Sequence, residues 1–129
     1  MAVEGGKLMT YEFTIPGPPC AKQRPRFTGK HTYTPQKTVN YENLIKLCYQ
    51  GPRFEGAVDM EIAAYFARPK KKLPENALPT KRPDWDNVGK IVSDALNGIA
   101  YNDDSQIVHA QVSKFYGSPC VWVKITEVV

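Results

Sequence analysis

The stretch DWDNVGKIVSDALNGI, residues 84–99, decides how this chain folds. Val88, Ile91, Val92, Ala95, Leu96 and Ile99 recur at i, i+3, i+4, i+7, i+8 and i+11, the single apolar stripe of an α-helix. Asp86, Lys90 and Asp94 follow one another at intervals of four and share a different face of that helix. Asn97-Gly98 falls near its C-terminal end. A helix with one apolar stripe must cover a sheet or another helix, so the flanking sequence is read for what it covers.

Upstream, Ala57 to Phe66 is rich in apolar residues, with Val58, Met60, Ile62 and Ala64 on one face, which predicts a strand. Between strand and helix runs a proline-broken loop, Ala67 to Pro83. It carries Arg68, Lys70, Lys71, Lys72, Lys81 and Arg82 against a single acid, Glu75. Loops this long in a compact domain are usually functional or disordered. Downstream, Ile107 to Tyr116 and Val121 to Val128 read as two strands, with Gly117-Ser118-Pro119 joining them as a hairpin. Nearer the N-terminus, Tyr11 to Ile15 alternates as a short strand that Pro16 and Gly17 end. Arg26-Phe27 and Thr32-Tyr33 flank a turn and predict a small hairpin. Pro35 to Gln50 reads as a helix, with Pro35 at its first position after a Thr34 cap and with Tyr41, Leu44, Ile45 and Cys48 inward. The order is β-(hairpin)-α-β-α-β-β. It predicts an α/β (α+β) domain over 1–129: one mixed sheet with two main helices packed on it.

Composition agrees. The chain has 129 residues, 42% hydrophobic and 23% charged, which suits one globular domain and excludes a fibre, a coiled coil or a disordered tail. Lys and Arg number 17 against 13 Asp and Glu, and the excess is local. Lys22, Arg24, Arg26, Lys30 and Lys37 form a basic arm with no acid between Glu12 and Glu42. Cys20, Cys48 and Cys120 are scattered, and His31 and His109 cannot complete an ordinary zinc site with them, so reduced packing thiols are expected. The start of the chain lacks a secretory apolar segment, and the run Ile62 to Ala67 is far shorter than a membrane span. A soluble cytoplasmic protein is expected.

The chemistry is concentrated in KRPDWDNVGK (81–90) and in Asn102-Asp103-Asp104. If one of the later aspartates reaches Asp84 and Asp86, three carboxylates converge, and such hard oxygen ligands suit Mg²⁺ or Mn²⁺. The plainer reading is that the first pair caps a helix and that Asn-Asp-Asp makes a turn. The combination favours chemistry, because an acidic cluster bordered by Lys and Arg suits phosphodiester cleavage. An EF-hand starting at Asp84 fails, since Val88 and Ala95 would stand at ligand positions. An aspartyl-phosphate enzyme would need an apolar strand before its aspartate, where Thr80, Lys81, Arg82 and Pro83 stand.

Lys22-Gln-Arg-Pro-Arg-Phe27, Tyr33-Thr-Pro35, Pro83-Asp-Trp-Asp-Asn87 with Lys90, Asp94-Ala-Leu-Asn-Gly98 and Asp103-Asp104-Ser-Gln-Ile107 together resemble the RusA family of Holliday junction resolvases. The resemblance keeps order and spacing over nearly the whole chain. It implies a homodimeric, Mg²⁺-dependent crossover junction endodeoxyribonuclease, without organic cofactor, that nicks four-way DNA junctions symmetrically in recombination and repair. Such enzymes occur in bacteria, often in prophages. The family's essential acids correspond to Asp84, Asp86 and Asp104, with Asp103 as a neighbouring acid, and its essential lysine to Lys90. Where some members carry a base before the first acid, this chain has Pro83. Lys22, Arg24, Arg26, Lys70, Lys71, Lys72, Lys81 and Arg82 are the expected DNA contacts. A non-catalytic DNA-binding module and a metal-dependent hydrolase of small phosphorylated molecules are the competing readings.

Overall fold

The structure, a computed structural model, describes residues 8–22, 26–29, 31–33 and 35–129. Its elements in chain order are β1 (Thr10–Pro16), β2 (Arg26–Thr28), β3 (His31–Tyr33), α1 (Gln36–Cys48), β4 (Val58–Phe66), α2 (Trp85–Leu96), a 3-10 turn (Asp104–Gln106), β5 (Ile107–Tyr116) and β6 (Cys120–Glu127). β1, β6, β4 and β5 lie side by side in that order, and β2 with β3 forms a separate hairpin. β4 is antiparallel to β6 and parallel to β5. The parallel pairing needs a crossover, and α2 provides it, so β4, α2 and β5 form a β-α-β unit.

One face of the sheet is covered by the helices. Phe13 and Ile15 of β1, Val58, Met60, Ile62 and Ala64 of β4, and Val121, Val123 and Ile125 of β6 are all buried. Each set has the period of two that one covered face imposes. They meet Val88, Ile91, Val92, Ala95 and Leu96 of α2 and Tyr41 and Ile45 of α1 in one core. Burying a side chain of this size contributes roughly 1.5–3 kcal/mol. Cys20 is buried and all three cysteines are free, as expected of packing residues.

The structure corrects the sequence reading at three places. β5 and β6 do not form a hairpin, because β4 lies between them. The turn at 117–119 instead crosses the end of β4, with Gly117 N donating to Phe66 O at 2.9 Å. A Cβ at Gly117 would come 3.1 Å from Tyr65 Cδ1, so the crossing is tight. Ile99 does not continue the α2 stripe. The helix ends at Leu96, Gly98 takes φ +81, and Ile99 is 36% exposed. Pro35 is the N-cap of α1 rather than its first residue, with an extended backbone at φ −54, ψ 140. Thr34, expected to cap α1, lies outside the described residues, as do Arg24 and the side chain of Arg26.

Candidate active site at the start of the second helix

Asp84 is the N-cap of α2, and Asp86 lies in its first turn. Both are exposed. The positive end of the helix dipole favours negative charge at these positions. The Asp84 backbone is extended (φ −71, ψ 153), and its carboxylate makes no capping hydrogen bond among the described residues. The acid therefore stands where a cap would be without acting as one.

Gly89 lets α2 approach β5, since a Cβ there would meet Val112 Cγ2 at 3.2 Å. This close approach shapes a depression of about 260 Å³ lined by Trp85, Asp86, Gly89, Ser93 and Asp104. Its remaining wall is apolar: Met60, Ile62, Ile107, Ala110 and Val112. Asp86 and Asp104, from opposite ends of the α2 segment, thus share one site. Asp84 opens instead on a separate cleft of about 530 Å³ with Lys37, Arg82, Pro83 and Asn87. Among the described residues no three His, Cys, Asp or Glu side chains are grouped closely enough to hold a metal ion. The structure therefore brings two of the expected acids together, while the third, two residues before Asp86, faces a different cleft.

The return from α2 to Asp104 is fixed by contacts that single-residue reading missed. The buried Tyr101 hydroxyl donates to Ser93 O at 2.7 Å. Burial, and then the charges of Asp104 and Asp94, raise its pKa. The Gln106 side chain accepts from the N–H of Asn102 (2.7 Å) and of Asp103 (3.1 Å). The same amide donates to Phe54 O (3.0 Å) and Gly56 O (2.8 Å), which ties this turn to the loop before β4. Arg53 adds hydrogen bonds to Asn102 Oδ1 (2.9 Å) and Gly98 O (2.7 Å). Asp103 caps the 3-10 turn by accepting from Ser105 N at 3.1 Å. Hydrogen bonds from Ser105 hold its carboxyl below the usual range.

Lys90 projects from the exposed side of α2 and pairs with Asp94 at 3.6 Å. Asp94 also meets Lys22 at 3.5 Å, and Lys22 pairs with Glu42 at 2.8 Å. Lys22 N donates to Asn87 O at 3.2 Å. Burial alone would lower the Lys22 pKa, but Glu42 and Asp94 more than offset it and raise it. Lys22, expected in the basic arm, thus joins α1 to α2 through Glu42 and Asp94, and shares Asp94 with Lys90.

The loop of residues 67–84 has shape without regular structure. Arg68 donates to Pro74 O at 2.8 Å and lies 5.4 Å from the Tyr116 ring centre. Lys114 donates to Lys81 O at 2.7 Å, and the Arg82–Pro83 peptide is cis. Lys70, Lys71, Lys72, Lys81 and Arg82 are all exposed. Cationic side chains on a shaped loop lead directly into carboxylates at a helix start.

The family model described as Endodeoxyribonuclease RusA matches residues 16–126, and the chain belongs to that family. It is accordingly a RusA-type endodeoxyribonuclease, of the Holliday junction resolvase family. The uncharacterized protein YqaN of Bacillus subtilis (strain 168) is similar, 40% identical over an aligned length of 136 residues, with 91% of this chain and 96% of YqaN covered. No helix among the described residues is long and apolar enough to cross a membrane.

Proposed function

We propose that this chain is a Mg²⁺-dependent endonuclease that acts as a homodimer and resolves four-way DNA junctions by paired symmetric nicks. The observation that supports it most is the meeting of Asp86 and Asp104 in one depression, beside an Asp84 carboxylate not used as a cap. Mg²⁺ is commonly bound by one or two carboxylates, with waters and substrate phosphates filling the other positions. The donor set fits that habit: Asp86 and Asp104 would hold the ion, with Asp84, two residues before Asp86, as a further acid at the helix start, and Mn²⁺ suits the same ligands. A cation there would lower the pKa of a bound water and offset charge on the phosphoryl group.

The chain's own groups do the rest. Lys90, 61% exposed and steadied by Asp94, presents a positive charge to the phosphoryl oxygens as their charge grows. Asp103 is engaged in its cap and steadies the turn that carries Asp104. Lys70, Lys71, Lys72, Lys81 and Arg82, with Arg24 and Arg26, hold backbone phosphates. Lys22 has its charge matched by Glu42 and Asp94 and serves to place Lys90 more than to grip DNA. Each chain offers one candidate site, so two equivalent nicks call for a two-fold dimer. The protein acts on DNA in the cytoplasm.

The deciding experiment incubates purified protein with labelled four-way, three-way and linear DNA in Mg²⁺, Mn²⁺ or EDTA. Paired nicks in the four-way junction with either metal, and none in EDTA, are expected. Equal binding in EDTA with no cutting in any metal would favour the non-catalytic module. Hydrolysis of small phosphorylated compounds without steep salt dependence would favour the third reading.

A further inference from the structure

Trp85 stands between Asp84 and Asp86, and its side chain is 62% exposed. An aromatic side chain this large normally gains from being covered. It lines the depression that Asp86 and Asp104 share. The floor is apolar, formed by Met60, Ile62, Ile107 and Val112. At about 260 Å³ the space is below the range of about 300–1,000 Å³ typical of small-molecule pockets, so it suits a single planar ring system.

We propose that the depression between α2 and β5 is a nucleobase site, in which one unstacked base of branched DNA lies on the Trp85 indole next to the phosphate that Asp86 and Asp104 serve. This inference rests on the nuclease reading and adds a ligand to it. The cation that Asp86 and Asp104 would hold keeps the phosphate at the rim, and the apolar floor disfavours a phosphate or a hydroxyl-rich sugar further in. The base is the uncharged, planar part of a nucleotide, and every base has a face that can stack on an aromatic ring. A base within intact duplex is stacked on two neighbours, whereas a base beside an opened branch point has only one, so unstacking it there costs less. The site therefore prefers branched over linear DNA without reading sequence. Lys81 and Arg82, on the same chain segment as Trp85, would hold the flanking backbone while the base enters.

The chain has two tryptophans, and Trp122→Phe leaves Trp85 as the only indole. Trp122 belongs to β6, where its Nε1 donates to Glu12 Oε1 at 3.3 Å, and it does not line the depression. The full-length Trp122→Phe protein is titrated with a four-way junction and with matching linear duplex in Ca²⁺, with complex formation followed in parallel by gel shift. Quenching of Trp85 emission by the junction and not by the duplex is expected. In the otherwise unchanged chain, Trp85→Ala is expected to lower junction affinity about 5- to 150-fold, the range of one lost base–aromatic stack, while Trp85→Phe retains most of it. Unchanged Trp85 emission in a complex that gel shift shows to be formed would overturn the inference, as would Trp85→Ala binding and cutting junctions like the parent. Either result leaves the nuclease reading intact if the parent protein still cuts. A parent protein that neither binds nor cuts junctions overturns both.

Discussion

Asp84 and Asp103 hold the same position in two different elements, and they use it in opposite ways. Each is the N-cap of a helical segment with an extended backbone. Asp103 commits its carboxylate to Ser105 N, and Gln106 answers by accepting from the Asp103 N–H, which completes a capping box. Asp84 has no such bond among the described residues. The reciprocal residue accounts for part of the contrast: Gln106 closes the box around Asp103, whereas the equivalent residue after Asp84 is Asn87, one methylene shorter, and no side-chain cap bond forms there among the described residues. An acid at a helix start is structural when its neighbours complete the cap, and it is available for chemistry when they do not. The pair Asp103-Asp104 divides the two roles between adjacent residues, one holding the turn and the other facing the depression.

The sharpest way to break this contrast is to neutralise both caps. Asp84→Asn is expected to lower junction cleavage by roughly 100-fold or more, as loss of a directly acting charged group does, with junction binding kept. Asp103→Asn should leave cleavage within about a few-fold, because Asn is itself a good N-cap. Equal losses in single-turnover assays would erase the distinction. Lys90→Ala tests the opposite charge at the same site and should also lower cleavage about 100-fold while binding persists.

Smaller effects sharpen the account of what holds these groups. Gln106→Ala removes the amide that anchors the turn bearing Asp104. Losses of this supporting kind typically run about 10- to 100-fold in activity or metal affinity, and addition of excess Mg²⁺ should recover part of the activity. Asp94→Asn loosens Lys90 and leaves Lys22 with Glu42 alone, so a milder defect than that of Lys90→Ala is expected in the same assay. Replacing Lys70, Lys71 and Lys72 together by Ala should weaken junction binding and flatten its salt dependence, by roughly one unit of log–log slope for each phosphate no longer neutralised.

The smallest effect is a titration. The Asp103 carboxyl has a pKa lowered from 3.8 by its hydrogen bonds to Ser105. Its contribution to the turn is therefore present above that unfolded value and is lost as pH falls through the lower folded value. Carbon NMR of the side-chain carboxyl should find its midpoint below 3.8. A midpoint at or above that value would mean the cap does not form in solution.

Local pattern made most of the architecture legible. The α2 stripe from Val88 to Leu96, the alternation in β4 and the small hairpin are all set by residues close in sequence. Strand pairing is different in kind. Gly117-Ser118-Pro119 is genuine turn chemistry, but whether the strands it joins pair with each other depends on where β4 lies, and no local signal contains that. The same limit applied to Lys22. Its charge read as part of a basic arm because Glu42 and Asp94, which meet it, come from two other elements. Asp103 was the opposite case: Gln106 three residues on is a capping-box signal already present in the sequence. The acids of the site were visible as residue types at helix starts, but the meeting of Asp86 with Asp104 depends on the Gln106 and Tyr101 contacts, which only the folded chain brings about.

The central claim is that Asp86 and Asp104 form one catalytic site, and Asp86→Asn tests it most directly. Single-turnover cleavage of a four-way junction is measured in Mg²⁺, with binding measured separately in Ca²⁺. Cleavage lower by roughly 100-fold or more, with binding unchanged or tighter because a negative charge beside the phosphates is gone, is the expected result. Near-normal cleavage by Asp86→Asn would contradict the account.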